Sequence, residues 1–160
     1  MIRRTSKIFP FKDDFFEGSW YGNTTLPCMV ADLNKIIFYA DKSGNMKNKK
    51  QRKMVVIVDA IISGEGDGPL NPKSKNTGLL IGGYDPFFID DFCARIIGLD
   101  ADKLNILKQV KEIKYYPIIN HKNIEYTFDG KFYNLEELVK KTNFNFVLPS
   151  GWEKTSKKID

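Results

Sequence analysis

Residues 54–58, Met54-Val55-Val56-Ile57-Val58, form an unbroken apolar run rich in β-branched side chains. Such residues lose side-chain freedom in a helix, and a continuous apolar run of this length suits a strand covered on both faces. The run continues through Asp59-Ala60-Ile61-Ile62-Ser63 into Gly64-Glu65-Gly66-Asp67-Gly68-Pro69-Leu70, so apolar residues pass straight into three alternating glycines carrying two acids. The pattern places Asp59 at or just past the carboxyl end of the strand, where ligands of open α/β sheets gather. Glycines at this spacing let a backbone approach a phosphate, yet Glu65 and Asp67 would repel one unless a cation or a lysine stood between. A metal site, an indirect anion site and a simple turn all remain open at this point.

Gly78-Leu79-Leu80-Ile81-Gly82-Gly83 reads as a second short buried strand, followed by Asp85. Asp85-Pro86 is a strong helix start, with a carboxylate cap and proline at the first helical position. Ile89, Phe92, Cys93, Ile96 and Ile97 then recur at the spacing of one helical face, Asp91 and Arg95 can pair on the outer side, and Gly98 ends the helix. Asp90 falls on the flank of the apolar stripe, where partial burial would demand a partner.

Upstream, Leu26, Met29, Val30, Leu33, Ile36 and Ile37 predict an amphipathic helix starting near Thr25 to Pro27 and stopped by Lys42-Ser43-Gly44-Asn45. Ala101 to Ile113 predicts another, with Leu104, Leu107 and Val110 inward. Residues 124–133 alternate around Asp129-Gly130, a hairpin signal. Asn134 and Glu137 suit a capping box for a short helix through Leu138 and Val139. Phe144-Asn145-Phe146-Val147 is read as a last strand and Lys154 to Asp160 as a frayed tail. The expected architecture is a single α/β domain over residues 1–160, with a mixed or mostly parallel sheet flanked by helices and a C-terminal β-hairpin and short helix. At 160 residues the chain is long enough for a substantial core.

Several chemistries lack a required residue. The glycine loop ends in Gly68-Pro69 where a Walker loop needs Gly-Lys-Ser or Gly-Lys-Thr, Pro69 and Pro72 oppose a dinucleotide-binding helix, and the register of an EF-hand is missing. The single histidine, His121, sits in a polar turn without an orienting pattern and reads as an exposed loop residue. One histidine and two separated cysteines, Cys28 and Cys93, leave neither a closed zinc site nor a four-cysteine iron–sulfur cluster within the chain. Both cysteines have apolar flanks and read as core thiols of a reduced, cytoplasmic protein.

Net charge is +5, but the one dense basic run, Lys47-Asn48-Lys49-Lys50-Gln51-Arg52-Lys53, lies in a polar connector and reads as solvated rather than as a nucleic-acid patch. Phe9-Pro10-Phe11-Lys12-Asp13-Asp14 breaks any secretory apolar stretch, and no segment approaches the length of a membrane helix.

What remains is a set of carboxylates: Asp59, Glu65, Asp67, Asp85 and Asp90. Hard oxygen ligands at neighbouring strand ends could hold a divalent cation such as Mg, with Asp59 and Glu65 as the metal ligands, or work as an acid and base pair. Asp59, Glu65 and Asp90 are the candidate catalytic residues, while Gly64, Gly66, Asp67, Gly68 and Asp85 would line the ligand. The plain structural roles are a cap for Asp85, a turn residue for Asp67 and amide pairing for Asp59. The partner on either reading is an unknown small molecule or another protein.

In this order, Val58-Asp59-Ala60-Ile61, the glycine segment Gly64 to Pro69, Asp85-Pro86 with Asp90, and Cys93-Ala94-Arg95-Ile96-Ile97-Gly98 resemble the bacterial and archaeal proteins grouped as domain of unknown function 362. The resemblance spans about residues 20–104. Trp20-Tyr21-Gly22-Asn23-Thr24-Thr25 and Asp32-Leu33-Asn34-Lys35 further resemble a branch associated with bacterial surface-polysaccharide gene clusters, which implies a role in polysaccharide synthesis. Some relatives carry a ferredoxin-type segment whose cysteines have no counterpart here. Relatives are longer upstream, which implies that the chain is a carboxyl-terminal portion. Pro27-Cys28 replaces an expected Trp-Arg pair, weakening anion binding, and Phe87 and Phe88 replace smaller residues before Asp90.

Overall fold

The structure, a computed structural model, describes residues 21–119 and 124–156. Its elements are α1 (Thr25–Tyr39), β1 (Val56–Asp67), β2 (Asn71–Gly83), α2 (Pro86–Ile96), a 3₁₀ turn (Ala101–Lys103), α3 (Asn105–Lys111), β3 (Tyr126–Phe128), β4 (Lys131–Tyr133), α4 (Leu135–Lys141) and a second 3₁₀ turn (Glu153–Thr155). The fold mixes helices with strand hairpins. Among the described residues both sheets are two-stranded and antiparallel, so the mostly parallel sheet expected from the apolar runs is not found there. The reason is local. β1 and β2 are joined by three residues, Gly68 to Leu70, whereas a parallel pair needs a crossover of a dozen or more.

The glycine segment is correspondingly strand rather than loop. Gly64, Glu65 and Gly66 pair with Ser74, Lys73 and Pro72. At Gly64 the strands approach closely, and a Cβ there would stand 3.1 Å from the Cβ of Pro72, so a side chain would require Pro72 to give way. A bulge between Ala60 and Ile62 shifts the register, and the Thr77 hydroxyl donates to the Ala60 carbonyl while its Oγ1 lies 3.0 Å from the Ser63 Oγ. Bulges bend and twist a strand. The half before this one lies on the core, Ala60, Leu79 and Ile81 packing with Phe92, Ile96, Leu138 and Val139. Ile57, Asp59, Ile61 and Leu80 occupy the outer face and are exposed.

α2 begins as expected: the Asp85 carboxylate accepts the Phe87 amide at 3.0 Å and Pro86 fills the first turn. Ile89, Phe92 and Ile96 are buried, while Cys93 and Ile97 are half-buried. Asp91 and Arg95 pair, but on the inner side. Asp91 is 5% exposed, its oxygens 2.8 and 3.0 Å from Nε and an NH2 group of Arg95. The predicted helix over 101–113 becomes a 3₁₀ turn and the shorter α3, with Leu104 and Leu107 buried. The Asn134 and Glu137 capping box is present, and Asp129 and Gly130 turn the β3–β4 hairpin with φ of +49° and +73°.

Four other expectations give way. α1 has the predicted extent but turns the other face inward: Pro27, Ala31, Phe38 and Tyr39 are buried, while Leu26, Met29, Leu33, Ile36 and Ile37 are exposed. α1 packs on α3, Phe38 and Tyr39 join Ile118 and Val110 in one cluster, and the Tyr39 hydroxyl donates to the Pro117 carbonyl at 2.7 Å, so the aromatic face wins. Cys28 is exposed for the same reason, and both cysteines are free. Residues 144–147 form no strand, and the tail is held as far as it is described, with Thr155 fully buried and its carbonyl accepting the Asp100 amide at 2.6 Å. His121 and residues 157–160 lie outside the described residues.

The basic run is exposed apart from half-buried Lys50, as expected of a solvated connector, and three of its side chains are also tied to the fold. Lys47 pairs with Asp41 at 3.0 Å, Lys50 donates to the Ile118 carbonyl at 2.5 Å and lies 4.3 Å from the Phe38 ring centroid, and Arg52 donates to the carbonyls of Ile37 and Ala40, both at 2.6 Å. Those carbonyls belong to the C-terminal end of α1, where a cation also meets the negative end of the helix dipole. Arg52→Met is therefore expected to cost about 1 kcal/mol in urea denaturation, the lower end for charged hydrogen bonds because the side chain is exposed. Lys53→Met should cost nothing measurable.

Candidate functional site

The acids nominated by sequence lie on two elements. β1 carries Asp59, Glu65 and Asp67, and α2 carries Asp85 at its cap and Asp90 in its second turn. Extended backbone rises about 3.3 Å per residue, so Asp59 and Glu65 stand on the order of 20 Å apart along the strand. The structure does not bring them together. Asp59 is exposed and accepts the Ile61 amide at 3.1 Å, the local amide pairing expected of a strand-end acid, although it lies within the strand.

The distal half of the hairpin does converge on something: the chain over residues 145–150. Glu65 Oε2 accepts from Lys75 Nζ at 2.8 Å and from the Val147 amide at 3.0 Å. The neighbouring Gly66 amide, on a residue with φ of +79°, donates to the Val147 carbonyl at 2.9 Å. Asp67 accepts from the Ser150 amide at 2.8 Å and from its hydroxyl at 3.2 Å. Lys75 closes the arrangement by donating to the Asn145 carbonyl at 3.2 Å, with its ammonium 5.2 Å from the Phe146 ring centroid. Leu148 packs instead in the cluster around Leu107, and Phe144, just before the segment, in the cluster around Leu138.

The electrostatics follow from these partners. The Lys75 hydrogen bond, then the Val147 amide, holds the Glu65 carboxyl below its ordinary value, and the Ser150 amide and hydroxyl do the same for Asp67. Asp90 behaves oppositely. Although the residue is exposed overall, burial of its carboxyl raises its pKa. The Cys93 thiol is pushed up to about 11, first by burial and then by the Asp90 charge, so it is a poor nucleophile near neutral pH. Among the described residues no group of three or more His, Cys, Asp and Glu is placed to hold a metal ion, and no helix is long and apolar enough to cross a membrane.

Sequence reasoning passed over Lys75, Val147 and Ser150, which complete the hairpin site. Lys75 was within reach of pattern analysis: once Glu65 is paired with Lys73, Lys75 is its diagonal neighbour on the same face. Val147 contributes only backbone groups, which leave no side-chain signal, and Ser150 adds its hydroxyl to a backbone amide.

The model of the family described as Domain of unknown function (DUF362) matches residues 11–95. That span takes in α1, the whole of the β1–β2 hairpin and α2 as far as Arg95. No curated protein and no solved structure gives a match.

Proposed function

This chain belongs to the DUF362 family, and we propose that it serves as a non-catalytic binding or scaffold domain whose acidic hairpin braces its own C-terminal segment and whose partner is another protein. One observation carries the reading. Three consecutive residues, Glu65, Gly66 and Asp67, direct polar groups at the main chain of Val147 and Ser150. An incoming ligand would compete with charge-assisted bonds already made. The exposed Ile57, Ile61 and Leu80 on the outer face of the hairpin suit a protein partner better than a polar small molecule.

Glu65→Gln combined with Asp67→Asn is the test. Amide hydrogen exchange at Val147 and Ser150 should quicken several-fold in the double variant. The wild type should show the same loosening on acidification. Both folded-state pKa values are lowered, so the contribution is present above the ordinary carboxylate values of 4.5 and 3.8 and disappears as pH falls below them. Unchanged exchange at both amides would remove the bracing role.

A second reading rests on Asp90, whose raised proton affinity suits a group that exchanges a proton with a substrate. On that reading the chain is a cytoplasmic enzyme domain linked to surface-polysaccharide synthesis. Asp90 acts as acid or base, and Asp59 or Glu65 each supplies one carboxylate to a divalent cation such as Mg, whose other ligands are substrate oxygens and water. Gly64, Gly66, Gly68 and Asp85 line the ligand. Thermal shifts with Mg, Mn and Ca separate the two readings: a metal-dependent rise that Glu65→Gln abolishes favours the second, and a flat response removes its metal-dependent form.

A further inference from the structure

The hairpin is bare on its outer side. From Lys53 to Ala60 exposed and half-buried residues alternate without a break, and the exposed set is Lys53, Val55, Ile57 and Asp59. Leu80, Gly82 and Tyr84 form the matching row on β2 and its exit, with Leu80 opposite Asp59 and Gly82 opposite Ile57. Val55, Ile57, Ile61, Leu80 and Tyr84 are each between 56% and 78% exposed. At roughly 150–200 Å² for a whole large side chain, they offer about 500–650 Å² of apolar surface. A standard interface takes roughly 800 Å² from each partner, a little over half of it apolar, so this face alone supplies the apolar share.

Two residues of the face point to what covers it. Gly82 has no left-handed φ, and among the described residues a Cβ added there would meet only the Val56 carbonyl oxygen, at 3.8 Å, an ordinary contact. The chain's own fold would accept a larger residue, and a strand is weakened by glycine. Asp59 stands among apolar neighbours, Leu80 across the ladder and Ile57 and Ile61 two residues away on its own strand. The Ile61 amide takes one of the carboxylate's acceptor sites and leaves others for a partner. A carboxylate set in an apolar face selects a partner that carries a cation at one position.

We propose that this face is covered by a second copy of the chain, packed outer face to outer face about a two-fold axis that crosses the strands at the paired Val56 and Gly83. The inference rests on the reading of the outer face as a protein-binding surface, and it names that protein. A two-fold contact uses the same patch on both copies, so a residue before the axis meets the one equally far beyond it. Tyr84 then lies over the partner copy's Gly82, Val55 over its Ile57, and Lys53 over its Asp59. Among antiparallel alignments of β1 with its own copy, only this one sets Asp59 opposite the base of the alternating row. Sheet faces stack about 10 Å apart, a gap that side chains of this size fill. So small a patch makes a weak dimer, and denaturation of dilute protein, which reads the single chain, is blind to Lys53→Met.

Sedimentation equilibrium of the full chain from about 1 to about 500 µM is the test. The wild type should pass from monomer to dimer across that range. Asp59→Lys and Lys53→Asp should each weaken the dimer at least about tenfold, and the two together should restore it to within about threefold, because the exchanged charges meet again. Gly82→Leu should also weaken it at least about tenfold, by filling the space that receives Tyr84. A wild type that stays monomeric, a dimer indifferent to both single reversals, a double reversal that fails to associate, or a Gly82→Leu chain that dimerises as well as the wild type would each overturn the proposal. Those failures leave the bracing role standing, since amide exchange at Val147 and Ser150 is read on the single chain.

Discussion

Asp91→Ala is expected to destabilise the fold by about 3–5 kcal/mol, the cost of leaving a charge without its partner in a largely dry site. The carboxylate is bound bidentately by Arg95, and the guanidinium is itself mostly buried, 17% exposed, with Asp102 as a second acid at 3.8 Å. Arg95 cannot shed its proton to escape, since the Asp91 hydrogen bonds hold its pKa above an already high ordinary value. Removing the carboxylate therefore strands the cation beside α2. Asp91→Leu with Arg95→Met removes both charges and should recover most of the loss, because hydrophobic replacement of a buried pair is commonly neutral or better. Urea denaturation of the three variants decides the matter. A single-variant cost below about 1 kcal/mol would mean that water reaches the pair and that it behaves as a surface contact.

The adjacent position makes a useful contrast. Asp90 has a raised pKa, so the folded state favours its protonated form, and stability falls as pH climbs from the ordinary aspartate value through the raised one. Asp90→Asn should raise Tm at neutral pH and leave it unchanged in acid, the opposite sign from Asp91→Ala. Sequence read Asp90 as a partly buried acid on the flank of the apolar stripe; the residue is exposed there, although desolvation of its carboxyl raises its pKa. Sequence placed Asp91 on the outside because an i, i+4 pair with Arg95 is ordinarily a surface arrangement. The roughly 100° between the two residues, little more than a quarter-turn, is smaller than the uncertainty in where an apolar stripe centres, which is why the inner and outer acids were exchanged.

The same limit explains the larger misreadings. Local chemistry was legible wherever a motif closes within a few residues: Asp85-Pro86 starts α2, Asn134 and Glu137 cap α4, and Asp129-Gly130 turns β3 into β4. Periodicity failed on α1 because two faces are apolar, and only tertiary packing, of Phe38 and Tyr39 with Ile118 and Val110, selects the inner face over Leu33 and Ile36. β1 and β2 were read as two short strands separated by a loop because residues 71–77 hold no apolar side chain between Pro72 and Gly78. Their pairing is carried by backbone bonds and by Glu65 with Lys75. The basic run was legible as charge but not as a brace, since its acceptors at Ile37, Ala40 and Ile118 are carbonyl groups that every residue has.

Leu107→Ala should cost about 2–5 kcal/mol, which for a domain of this size lowers Tm by roughly 5–15 °C. Leu107 is 2% exposed and packs with Phe87, Ala94, Leu99, Ala101 and Leu104. Its site has little means of collapsing, because α3 is only seven residues long and far too short to persist without tertiary packing. The loss should also spread. α1 packs on α3, and the 144–152 segment enters the same cluster through Leu148 and Trp152, so loosening α3 should quicken amide exchange in α1 and at Val147 together. Glu65→Gln should instead quicken Val147 while leaving α1 untouched, because its carboxylate hydrogen-bonds Lys75 and the Val147 amide and its ladder partner is Lys73, none of them in α1. Parallel exchange profiles for the two variants thus separate the hairpin's own hold on the segment from the hold of the core beneath it, and identical profiles would show that the acidic hairpin contributes nothing of its own.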